Sequence, residues 1–79
     1  MYISWFYIDQ CNWFMEQLGH GICVFRVDTV KEGGYQLTAL CQNPVNNAVF
    51  TSGICADIET CIRQILGKLK NAFDLAKIA

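Results

Sequence analysis

The last quarter of the chain carries its clearest pattern. From Asp57 to Ile78, apolar residues fall at Ile58, Cys61, Ile62, Ile65, Leu66, Leu69, Ala72, Phe73 and Ala76. Steps of three and four, sustained over about five turns, place them along one face of an α-helix. Upstream the period changes to two. Over residues 35–42, Tyr35, Leu37, Ala39 and Cys41 alternate with Gln36, Thr38, Leu40 and Gln42. Such a strand has one buried and one wet side. Residues 22–30 are β-branched and aromatic, with Cys23, Phe25 and Val27 on one face and Arg26 and Asp28 on the other. Residues 48–52 predict a short third strand, ended by Gly53. The connections have turn chemistry: Lys31-Glu32-Gly33-Gly34 in one, Asn43-Pro44-Val45-Asn46-Asn47 in the other.

Residues 4–18 read two ways. Ile3, Tyr7, Cys11, Phe14 and Leu18 recur at helical spacing, with Asp9, Asn12 and Glu16 opposite them. Ser4 would cap this helix and Gly19 would stop it. The rival is a strand from Tyr2 to Ile8, since aromatic and β-branched residues favour strands. The helix is the preferred reading. The order is then α-β-β-β-α, a single α+β domain over residues 1–79. It is a three-stranded antiparallel meander with two helices on one face. The closing helix covers the Tyr35/Leu37/Ala39 side. Asp57 sits where an N-cap belongs, with Glu59 just behind it. Lys68, Lys70 and Lys77 lie toward the negative end of the helix dipole.

Composition narrows the function classes. The chain has 79 residues, 53% hydrophobic and 16% charged, which excludes a disordered chain. It also exceeds the apolar content one small core needs, so apolar surface is left over for a partner or a second copy. The net charge is −1, a poor basis for binding nucleic acid or an anionic membrane. The five cysteines, Cys11, Cys23, Cys41, Cys55 and Cys61, show no C-x-x-C spacing. Met1 to Ile8 is apolar, but it lacks a basic region and is interrupted by Asp9, unlike a signal peptide. The expectation is a cytoplasmic protein with free, mostly buried thiols. Residues 33–56 carry no charge, yet Gln42, Asn43, Pro44, Asn46 and Asn47 exclude a membrane span there.

Candidate chemistry is sparse. His20, Cys23 and Asp9 or Asp28 could sketch a Cys-His nucleophilic site, but His20 lies between Gly19 and Gly21 in a loop and Cys23 in a strand. Cys41, Cys55 and Cys61 match no zinc spacing. Gly33-Gly34 precedes a strand, so it is no phosphate loop. The reading is therefore non-enzymatic, with no catalytic residue, metal, cofactor or small-molecule substrate. The aromatic cluster Tyr2, Trp5, Phe6, Tyr7, Trp13 and Phe14 is richer than one core can absorb. Trp and Tyr dominate interface hot spots. Tyr2, Trp5 and Trp13 are accordingly the expected protein-binding residues, with Arg26 and Leu40 on the open sheet face as a second surface. Removing Trp13 should weaken partner capture and leave the fold intact. The third strand lacks a Lys or Pro guard, which makes homodimerisation through that edge, or through the aromatic helix, an expectation.

Three resemblances accompany these residues. The α-β-β-β-α order is similar to that of double-stranded RNA-binding domains. That family reads phosphates through lysines at the start of its last helix, where this chain has Asp57, Ile58 and Glu59. The resemblance implies a fold, with a nucleic-acid-binding module as the alternative function, and no RNA-binding residue carries over. Residues 35–72 resemble the repeat of the small bacterial YegP-like proteins. The shared features are Tyr35-Gln36-Leu37-Thr38-Ala39-Leu40, Asn43, Phe50-Thr51-Ser52 and a helix ending Lys70-Asn71-Ala72. Ile54-Cys55 stand where that family has an aromatic residue, and its basic segment before the helix is missing. This resemblance implies a fold without a defined activity. In size and layout the chain also resembles some phage anti-CRISPR inhibitors, which implies a partner that is a large host protein complex.

Overall fold

The computed structural model describes residues 5–41 and 47–78, and for Ile78 the backbone alone. It contains α1 (Trp5–Gln17), β1 (Cys23–Val30), β2 (Gly34–Cys41), β3 (Val49–Thr51) and α2 (Ile58–Ile78). The strands form one antiparallel sheet in the order β1-β2-β3. The α+β class and the αβββα order are those expected from the hydrophobic pattern. Trp5 onward is helical, so the rival strand fails for Trp5 to Ile8. Tyr2 and the Ser4 cap lie outside the described residues, as does most of the 43–47 turn.

Local chemistry explains the boundaries. At the end of α1 the Gly19 N–H donates to the Glu16 carbonyl and the His20 N–H to the Met15 carbonyl, each at 2.9 Å. This pair of bonds satisfies carbonyls left over at the helix end and needs a left-handed residue, supplied by Gly19 at φ 82°. The β1–β2 loop is Lys31-Glu32-Gly33, closed by Gly33 N–H donating to the Val30 carbonyl at 3.0 Å. Gly33 has φ 83°, the left-handed position that three-residue hairpin loops require. Gly34, expected in the turn, is the first residue of β2. A Cβ there would lie 3.1 Å from the Ile54 side chain.

The core forms where α2 lies on β2. Ile62, Ile65, Leu69 and Cys61 from α2 are fully buried, as are Leu37 and Ala39 from β2. Cys11 and Met15 of α1 complete this cluster. Each large side chain removed from water contributes about 1.5–3 kcal/mol. The predicted helix stripe holds through Leu69. Within it Leu66 is only half-buried; beyond Leu69, Ala72 and Phe73 are half-buried and Ala76 is exposed. On the open face, Thr38 was expected to be wet but is only 4% exposed. It sits in the central strand, opposite Arg26 on one side and Thr51 on the other.

Ser52 repairs the ladder where β3 ends. Its N–H donates to the Leu37 carbonyl at 2.8 Å, and its Oγ accepts from the Leu37 N–H at 2.9 Å. The hydroxyl then donates to the Gly53 carbonyl at 2.8 Å. The chain rejoins β2 through paired bonds between Tyr35 and Cys55. Ser52→Ala would leave the buried Leu37 N–H without an acceptor. The expected cost is about 1–3 kcal/mol in urea unfolding, and a change within error would contradict this role.

Asp57 caps α2 as its position predicts. Its Oδ1 accepts from the Thr60 N–H at 2.7 Å and from the Thr60 hydroxyl at 2.8 Å. These bonds hold the carboxyl below its ordinary value of 3.8. A depressed folded-state pKa stabilises the fold above the unfolded value and loses that contribution as pH falls through the folded one. Asp57→Ala should therefore melt earlier than the parent at neutral pH. The gap should narrow in paired melts taken below the ordinary carboxylate range.

Candidate protein-contact surface

Apolar side chains are spread around α1 instead of being gathered on one stripe. Cys11 and Met15 turn inward and are fully buried, with Tyr7, Ile8, Phe14 and Leu18 packed beside them. The helix still has apolar residues to spare. Trp5 is 71% exposed, Phe6 63% and Trp13 49%. Trp5, Asp9 and Trp13 are four apart and share a face, with Glu16 beside them. All are exposed, and α1 contains no Lys or Arg. The part of this surface that α1 contributes is therefore aromatic and acidic.

Trp13, though half-exposed, also packs within the fold. Its ring lies edge-on to Phe14 and to Phe73 of α2, with centroids 5.0 and 5.5 Å away. Phe14 and Phe73 are themselves 5.5 Å apart, and Lys77 sits 4.9 Å over the Phe73 ring. Aromatic pairs of this geometry add about 0.5–1.5 kcal/mol each. Replacing Trp13 would loosen the α1–α2 contact, contrary to the expectation of an intact fold. Trp5 is the cleaner probe of the surface. Asn12, expected to share the solvent face, is half-buried and accepts from the Cys23 N–H at 2.9 Å.

Arg26 and Leu40 belong to another surface. They lie on the open face of the sheet, away from the helices. Leu40 stands between Val24 and Val49 in the strand register, forming an apolar row across all three strands. Val49 at the end of this row is 62% exposed. Arg26 Nε donates to Asp28 Oδ2 at 3.3 Å on the same face. The expected site residues thus divide between two surfaces, with Tyr2 outside the described residues. Strand alternation in the sequence already put Val24 on the side of Arg26. The place of Val49 depended on the β2–β3 register, which the sequence pattern did not specify.

The outer side of α2 is partly structural. Lys68 Nζ donates to the Thr51 carbonyl, and Gln64 Oε1 accepts from the Gly53 N–H at 2.9 Å. The β3 edge does have a lysine guard. It comes from α2, seventeen residues further along the chain. A shallow depression beside these residues is lined by Gln64, Gly67, Lys68, Lys70, Asn71 and Asp74.

The thiols form two groups. Cys23 and Cys41 face each other across β1 and β2, and Cys11 is near Cys23. Burial pushes Cys11 up to about 12, with Cys23 adding to the shift. Burial likewise raises Cys23 to about 11, with Cys41 adding. Both are therefore protonated at neutral pH, and a protonated thiol is a poor nucleophile. Cys55 is raised as well, by desolvation first and then by its hydrogen bond with Cys61. Among the described residues, no group of three or more His, Cys, Asp and Glu is arranged to hold a metal ion. No helix among them is long and apolar enough to cross a membrane. No family model matches the chain, and no curated protein or solved structure is significantly similar to it.

Proposed function

We propose that this chain is a non-enzymatic protein-binding module and that the exposed face of α1 is its recognition element. One observation carries the reading. The core closes on α2, β2 and the Cys11/Met15 side of α1, while Trp5, Phe6 and half of Trp13 remain in water. Exposed aromatics on a rigid element supply large contact area at little entropic cost, and Trp is the commonest anchor in interfaces. Asp9 and Glu16 on the same helix, with no basic residue near them in sequence, favour a partner whose apolar pocket has a basic rim.

The mechanism is steric. A small domain seats its aromatic helix on a larger protein and blocks the surface beneath. The most specific form of the proposal is an inhibitor carried by a phage or mobile element, acting on a large host complex. Support for that form is analogy of size and layout. Capture from host lysate followed by mass spectrometry would supply the partner for titration. Trp5→Ala should weaken its binding by at least ~2 kcal/mol, about thirtyfold, without shifting the melting curve. Val49→Ala, on the opposite side of the sheet, should bind as the parent does. Equal affinity of the Trp5 variant and the parent would remove α1 from the proposal.

A further inference from the structure

The two edges of the sheet are finished differently. Within β2, the odd-numbered residues bond toward β3, as the Leu37–Ser52 and Cys41–Ala48 bonds show. The even-numbered ones therefore bond toward β1, and their partners there are Val24, Arg26, Asp28 and Val30. It follows that Cys23, Phe25, Val27 and Thr29 aim their N–H and C=O groups outward. Asn12 of α1 takes the Cys23 N–H, and the hairpin turn begins at Lys31. Between these limits lies a strand edge that none of the described residues covers, with Phe25, Val27 and Thr29 as its outward residues. At the other edge, Lys68 takes the outward carbonyl of Thr51.

We propose that two copies of this chain join β1 to β1, antiparallel, about a twofold axis at Val27. Charge selects this partner and this register. Arg26 and Asp28 are two apart on one face, both substantially exposed. A single charge at mid-edge would discourage pairing. An opposite pair two apart is self-complementary only when the axis passes through the residue between them. Arg26 then faces Asp28 of the second copy, and Asp28 faces its Arg26. An axis at Arg26 or at Asp28 would set like charges directly opposite each other, which destabilises a sheet.

The backbone agrees with this register. Outward residues oppose outward residues: Val27 meets Val27 of the second copy, and Phe25 meets Thr29. Each such pair can exchange two hydrogen bonds. The charged pairs fall at non-hydrogen-bonded positions, where side chains approach most closely. Val24 would face Val30 of the second copy on the same side, apolar against apolar. The free stretch between the Asn12 cap and the turn is itself centred on Val27, so the register uses all of it. The product is a continuous six-stranded sheet, with both copies of α1 on one side.

Light scattering over a concentration series tests the proposal on the whole chain. The parent should approach twice its 8.9 kDa mass. Arg26→Asp and Asp28→Arg should each weaken the dimer about tenfold or more, since each sets like charges opposite in two places. Mixing those two variants should restore a heterodimer by native mass spectrometry, because their charges again alternate across the axis. Val27→Pro removes an outward N–H, a change edge strands tolerate, and should give a folded monomer by circular dichroism. A parent that stays monomeric to its solubility limit would overturn the proposal. So would single-charge variants that dimerise as the parent does, a mixture that gives no heterodimer, or a folded Val27→Pro variant that remains dimeric.

Discussion

The contact between α2 and β2 is the constraint from which the other features follow. One helix face, Ile58 through Leu69, meets the Leu37/Ala39 face of the central strand, and together they account for most of the fully buried apolar volume. A domain this small buries a limited fraction of its surface, so it can close only one such layer. The order of the remaining parts reflects that limit. α1 contributes Cys11 and Met15, packs Tyr7 and Phe14 beside them, and leaves Trp5, Phe6 and half of Trp13 outside. The far end of α2 runs past the sheet and is held by Phe73 against Trp13 and Phe14.

The helix layer also decides how the sheet ends. Two side chains of α2, Gln64 and Lys68, one turn apart, reach down to Gly53 and to Thr51 of β3. One side chain of α1, Asn12, reaches the start of β1. These bonds satisfy backbone groups that an open sheet would otherwise present to any passing strand. Among the described residues they leave the middle of β1 uncovered, and that stretch carries a charge pattern complementary to itself. The proposed association thus follows from the fold, since the positions of the helices determine which edge remains open.

Much of the architecture was legible in the sequence. The α2 stripe and the alternation of β2 depend on local periodicity, and the cap at Asp57 and the stop at Gly19 depend on local chemistry. Their physical causes lie within a few residues of each other. What escaped was non-local. The Lys68 guard joins residues seventeen apart, and no pattern marks a lysine on a polar helix face as bound to a distant carbonyl. Asn12 looked like a surface residue because its partner, Cys23, lies beyond a turn. Thr38 is polar and sits on the open face, yet neighbouring strands bury it. The candidate site was legible as a surplus of aromatics. Its division into an α1 face and a separate sheet face required the three-dimensional arrangement.

The claim that α1 is a presented surface can be checked on the unmodified protein. Its only two tryptophans, Trp5 and Trp13, both lie in α1. Acrylamide quenching of their fluorescence reads their contact with water directly. Red-shifted emission and efficient quenching are expected, with Trp5 the more accessible of the two when Trp13→Phe isolates it. Blue-shifted emission that acrylamide barely quenches would place these rings in a core and contradict that claim.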